Sequence, residues 1–126
     1  MTEPLIQSGP AGITRVEKPW GYEIIWARTP KYVGKLLHIN AGHKLSLQYH
    51  REKEETVHVH VGQMRFVVEE NGVMVERLLG PGEGYHIKPG TKHRMIAVTD
   101  CDVLEASTSE LDDVVRLDDS YGRTGT

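Results

Sequence analysis

Only one cysteine, Cys101, occurs among the 126 residues, which excludes an internal disulfide framework. Long apolar runs are also lacking: stretches such as Ile24 to Ala27 fall far short of the roughly 20 residues that a membrane-spanning helix needs, so no membrane partner is expected. Nor is there an excess of basic charge. The 15 Lys and Arg against 18 Asp and Glu give a formal charge of -3 without any basic stripe to follow a phosphate backbone, and nucleic acid is not an expected partner. The opening "MTEPLIQSGPAG" has neither the basic start nor the apolar run of a secretory leader, and with the lone thiol this sets the expectation of a cytoplasmic protein. The length leaves room for one ordinary core, so any chemistry is expected to sit inside a single domain.

Short β-branched runs fill the chain, among them "YEIIWA", "YVGKLLHI", "ETVHVHV", "MRFVVEE", "VMVERLL", "RMIAV" and "DVLEAS". Turn signals separate them: "NAG" at 40 to 42, "ENG" at 70 to 72, "GPGEG" at 80 to 84 and "PGTK" at 89 to 92. Spacing of this kind predicts an all-β sandwich or barrel. Residues 1–14 read as an N-terminal arm and 15–126 as the folded domain. In "SELDDVVRLDDSYG" a short C-terminal helical turn is expected, with Ser109 as its N-cap and Asp112 and Asp113 in its first turn. Asp100 and Cys101 read as a turn carrying a simple loop thiol.

The segment "GHKLSLQYHREKEETVHVHVG", residues 42–62, concentrates four of the seven histidines. Side chains alternate along a strand, so Gln48 and His50 share a face, and a turn through "REKE" can return Glu55 beside them. His93, after the tight turn "KPGT", supplies a fourth donor. One amide oxygen, one carboxylate and two imidazoles form a mixed N/O set, suited to one divalent ion of Zn, Mn, Fe, Co or Ni. Glu52 shares the His50 face and is weighed as a further oxygen ligand or a surface residue of the turn, the surface being favoured. The same parity that turns Glu55 inward turns His58 and His60 away, toward a structural or interface role. His38, His43 and His86 have no partner at ligand spacing.

These stretches carry a family resemblance. Gly42-x5-Gln48-x-His50-x4-Glu55-x6-Gly62 resembles the first cupin motif, with Gln in place of the usual first His. Gly82-x5-Lys88-x-Gly90-x2-His93 resembles the second, with Lys where Pro is usual. Over residues 16–123, "EKPWGYE", "LSLQYH", "KPGTKHR" and "DDVVRLDDSYGR" are similar to the cupin domain of type II mannose-6-phosphate isomerases, a domain often fused to mannose-1-phosphate guanylyltransferase. The resemblance implies a double-stranded β-helix, a jelly-roll-like barrel with metal in its mouth, and a Gln at the first ligand position is typical of phosphomannose isomerases. Where that subfamily usually has "HHHRAEHW", this chain has "HREKEETV", so Glu52 and Lys53 replace His and Arg, and Val57 replaces Trp.

The activity so implied is metal-dependent interconversion of mannose 6-phosphate and fructose 6-phosphate. It needs a base, an electrophile and an anion clamp. Glu105 is the first candidate base and Lys53 the second. Lys35, Arg94 and Arg116 are the cationic candidates for phosphate, Arg116 also matching a family position, and Trp20 is either a wall of the sugar pocket or a cover of the barrel. The alternatives are a metal-binding cupin that holds a sugar or small metabolite without turning it over, or another metal-cupin enzyme such as an iron-dependent oxygenase. A homodimer is expected, because an open barrel leaves edge strands that residues 1–20 can cover by pairing with a neighbour.

Overall fold

The structure is a computed structural model that describes residues 9–125, and the first eight positions of the expected N-terminal arm lie outside the described residues. Among the described residues eleven strands form two antiparallel sheets. The six-stranded sheet runs β1 (Thr14–Lys18), β2 (Gly21–Arg28), β3 (Val33–Ile39), β10 (Cys101–Ser107), β5 (Glu55–Val61), β8 (Gly84–Ile87). The five-stranded sheet runs β11 (Val115–Asp118), β4 (Leu47–Tyr49), β9 (His93–Ala97), β6 (Met64–Glu70), β7 (Val73–Leu79). From β3 onward the chain crosses between the sheets at every connection except that from β6 to β7, giving the jelly-roll arrangement that the resemblance implies. No helix of the described residues is long and apolar enough to cross a membrane.

Alternation fixes the inner faces. In β5 the buried positions are Glu55, Val57 and Val59, with Thr56, His58 and His60 exposed between them. Phe66, Val68, Met95, Ile87 and Val103 join Val57 and Val59 in the apolar core. The inward positions change character along the strands. In β10, Cys101 and Val103 give way to Glu105 and Ser107; in β9, Ala97 and Met95 give way to His93; in β3, Ile39 and Leu37 give way to Lys35. Cross-strand register gathers these polar ends, with Glu105 opposite Lys35 and Ser107 opposite Glu55. One end of the barrel interior is therefore hydrophobic, and the other holds the chemistry.

Two turns depend on left-handed backbone. Asn71 and Gly72 both have positive φ between β6 and β7, as a two-residue hairpin turn demands. Gly62 carries the chain from β5 in one sheet to β6 in the other at φ 94°, where a Cβ would collide with the Asp100 carbonyl.

Two local expectations are corrected. The C-terminal helical turn does not form: a non-helical turn at Leu111 and Asp112 leads straight into β11, which pairs with β4. Asp113, expected in a first helical turn, instead accepts backbone N–H bonds from Arg51 at 3.0 Å, Glu52 at 2.7 Å and Lys53 at 2.9 Å. Its carboxylate is committed to a turn about sixty positions away, which local propensity does not register. Cys101 is not a loop thiol either. It opens β10, is fully buried, and donates to the Gln63 carbonyl at 3.1 Å.

Candidate metal centre and cavity

His50 follows β4, Glu55 begins β5 and His93 begins β9, so three strand ends deliver three ligands to one point. Their donor atoms lie within 4.8 Å of one another, and all three side chains are buried. His50 Nε2 is 2.7 Å from Glu55 Oε2 and His93 Nε2 is 3.4 Å from it. Each ring is oriented from behind. His50 Nδ1–H donates to the Asp113 carbonyl, and His93 Nδ1–H donates to the Thr91 carbonyl at 2.9 Å, which turns both Nε2 atoms toward Glu55. His93 Nε2 is buried without any hydrogen-bond partner among the described residues. An orphaned buried imidazole nitrogen is costly unless it coordinates, so these residues fit a divalent ion held by two nitrogens and a carboxylate.

Burial by itself would raise the Glu55 pKa, but His50, His93 and the Lys53 ammonium outweigh it and hold the carboxyl well below its ordinary range. It stays ionised, as a ligand must. Gln48, the expected fourth ligand, stands directly opposite His93 in the β4–β9 ladder and opposite Arg116 in the β4–β11 ladder. Its Oε1 accepts the Ser46 hydroxyl at 2.6 Å.

A cavity of about 390 Å³ opens beside the triad, with His50 and Gln48 in its lining. This lies within the roughly 300–1,000 Å³ of small-molecule sites. Glu105 and Lys53 also line it, joined by an ion pair of 3.2 Å, and Lys53 reaches Glu55 at 3.6 Å. Burial pushes the Glu105 carboxyl up to about 7, helped by the neighbouring Glu55 charge and opposed by Lys53 and Lys35. Burial works against the Lys53 charge, but Glu105 and Glu55 outweigh it and raise its pKa, so Lys53 remains an ammonium. Lys35 lines the same cavity, paired with buried Glu23 at 3.3 Å.

The other sequence-derived candidates separate clearly. Trp20 is 3% exposed and lines the cavity, as does Arg116. Arg94 points elsewhere: Nε donates to the Leu45 carbonyl at 2.8 Å, and Nη2 meets the Asp118 carbonyl at 2.9 Å and carboxylate at 3.0 Å. Glu52 is exposed. His38 bonds Asp102, His43 bonds Tyr121 and His86 bonds Glu54, so each has a partner away from the triad. With His58 and His60 on the outer face, His58→Ala and His60→Ala should leave metal content unchanged by elemental analysis, and loss of metal in either would contradict the parity argument.

Sequence reasoning passed over Glu23, Asp113, Lys18 and Arg123. A signal existed for Glu23, since "YEIIWA" places it on the same face as buried Ile25, and an inward carboxylate in a strand requires a buried partner. Arg123 is held by Asp119, whose carboxylate accepts Nε and Nη2 at 3.0 Å each and the Arg123 backbone N–H at 2.7 Å. Chiefly through Arg123, and despite its burial, Asp119 is held below its ordinary pKa. A depressed folded pKa gives stability that is present above the unfolded value, near 4, and lost as pH falls through the folded value. Protection of the amides of residues 119–123 against exchange, taken relative to the unstructured-chain rate at each pH, should therefore fall as pH drops below about 4, more than Asp119→Asn shows over the same range. Equal acid responses of the two proteins would remove this linkage.

Comparison with known proteins places the geometry in a family. Residues 35–106 match the Cupin domain family. The chain is 35% identical over 114 residues to mannose-1-phosphate guanylyltransferase ManC of Salmonella typhimurium, an alignment covering 86% of this chain but 23% of that protein. Among solved structures, KdgF from Halomonas sp. superposes with a TM-score of 0.68 at 20% identity, covering 79% of this chain and 88% of that one. CapF with the inhibitor 3-isopropenyl-tropolone gives 0.75 at 16%, covering 85% and 35%. Oxalate decarboxylase from Bacillus subtilis gives 0.71 at 18%, covering 85% and 30%. With the family match over more than half its length, two facing antiparallel sheets and a His, Glu, His cluster at one end of the barrel, the chain belongs to the cupin family.

Proposed function

We propose that this cupin is a metal-dependent sugar-phosphate isomerase of the mannose 6-phosphate/fructose 6-phosphate type, a cytoplasmic protein with residues 15–126 as its single domain. The observation that carries the reading is the buried Glu105 carboxylate in the same cavity as His50, its pKa pushed up to about 7. A carboxyl poised near neutrality both takes and returns a proton, as aldose–ketose interconversion requires. The likeness to the guanylyltransferase, whose name involves a mannose phosphate, supports a sugar phosphate as the substrate class.

His50, Glu55 and His93, with Gln48 beside them, would hold the ion, which when bound polarises the sugar oxygens at C1 and C2. Glu105 takes the C2 proton of the open-chain aldose and returns it to C1, while the O2 hydroxyl proton passes to O1. The Lys53 ammonium, 3.2 Å from Glu105, stabilises the negative charge that develops on the enediol oxygens. Trp20 closes one wall of the cavity.

A binding role without turnover is the second reading, favoured by one observation: the Lys53–Glu105 ion pair occupies the base in the resting structure. A coupled assay of fructose 6-phosphate formation, with the metal supplied and binding measured in parallel, decides between them. Turnover supports the isomerase, and binding without turnover selects the second reading. A homodimer belongs to the same proposal. β1 pairs with β2 of its own chain and sits at the end of its sheet, while Trp26 and Leu104 of the outer face are 50% and 36% exposed. Light scattering at micromolar concentration should give twice the chain mass, and a monomer mass would exclude it.

A further inference from the structure

The mouth of the cavity carries cations that the metal centre and Glu105 leave unused. Lys18 at the end of β1, Arg116 on β11 and Arg123 beyond it all line the cavity, and all three are half-buried. The remaining cavity cations are neutralised, Lys35 by Glu23 and Lys53 by Glu105. Lys18 and Arg116 make no ion pair among the described residues, whereas Arg123 is fixed in orientation by the two-point contact with Asp119.

The three come from opposite sheets. β1 borders the six-stranded sheet and β11 the five-stranded one, so the cations face one another across the gap at the barrel mouth. The backbone of Arg116 is clamped on both sides, by Gln48 in the ladder and by reciprocal hydrogen bonds with Gly125 of 2.7 and 2.8 Å. Burial lowers the Lys18 pKa against the opposing charge of Glu23, and Lys35, Arg116 and Arg123 add to the lowering, so the other cations stand close enough to be felt at Lys18. Of the nearby carboxylates, Glu23 is paired with Lys35, Asp119 with Arg123 and Asp113 with three backbone N–H groups, while Asp112 is exposed at the rim, so the unpaired charges of the mouth are those of Lys18 and Arg116.

Register sets the reach. Arg116, Gln48 and His93 occupy one row across β11, β4 and β9, so Arg116 lies two strand intervals, about 10 Å, from the metal-binding His93. A ligand with an anionic group at one end and oxygens to offer the ion at the other spans such a row. Two guanidinium forks and an ammonium converging from two sides match the oxygens of a phosphoryl dianion.

We propose that Lys18, Arg116 and Arg123 form the phosphate subsite of this cavity, with Arg94 excluded from it. The assignment rests on reading the cavity as a sugar-phosphate site and names the residues of its phosphate end. Calorimetry with inorganic phosphate on the full chain tests it directly. Lys18→Gln and Arg116→Gln, which break no ion pair of the fold, should each weaken phosphate by about tenfold or more, while Arg94→Gln leaves it unchanged. Metal content should stay at the wild-type level in both variants. Phosphate held by the metal alone would be insensitive to both substitutions, and that result, or the absence of phosphate binding by the wild type, overturns the subsite. The two readings fail separately. Phosphate binding sensitive to Lys18 and Arg116 without isomerisation keeps the subsite and removes the isomerase; isomerisation with an unchanged KM for mannose 6-phosphate in both variants does the reverse.

Discussion

His93→Ala is expected to lower divalent-metal affinity by more than about 100-fold, because losing even an outer partner of a metal ligand costs about 10–100-fold and His93 is itself a ligand. Its Nε2 is the buried nitrogen without a hydrogen-bond partner among the described residues, so coordination is the interaction that satisfies it. The remaining His50 and Glu55 would close on each other through their 2.7 Å contact rather than hold an ion open to substrate. Thermal denaturation gives a second readout. Added metal should raise the Tm of the wild type and leave that of His93→Ala unmoved, since an ion stabilises only the state that binds it. A variant that keeps full occupancy would dismiss the triad as a metal centre.

The second large effect is on turnover. Glu105→Gln should lower kcat for mannose 6-phosphate by about 10²–10⁴, the range over which a positioned general base acts, with metal content retained. Glutamine preserves the shape of the side chain, so the cavity wall survives while the proton acceptor is lost. Lys53→Met should act on the same step by removing the cation 3.2 Å from Glu105. Undiminished kcat in Glu105→Gln would place the base elsewhere and leave Glu105 as a buried partner of Lys53.

The sequence made the sheets and the inward turn of Glu55 legible through the same periodicity. In "ETVHVHV" a period of two sends Glu55, Val57 and Val59 inward and His58 and His60 outward, and the structure has that pattern. Long-range partners were not legible. Lys53 reads as a charged turn residue, yet it is 5% exposed because β10 brings Glu105, 52 positions away, to meet it. The stretch around Asp113 looked helical because its acidic residues suit a first turn, and nothing local reveals that three amides of residues 51–53 claim its carboxylate instead. Arg94 shows the converse limit. Its type suits phosphate, but the neighbouring Leu45 carbonyl and Asp118 absorb its donors.

Asp113 joins two parts of the molecule that would otherwise be independent. Its carboxylate caps the turn that carries Lys53, and its carbonyl orients the ring of His50. Strand β11 begins two residues later, so the docking of that strand and the aim of a metal ligand are one mechanical event. An ion held by the His50, Glu55, His93 cluster would therefore share its binding free energy with the C-terminal segment, and a change that loosens the segment would be expected to weaken coordination, although no residue after Asp113 belongs to the cluster.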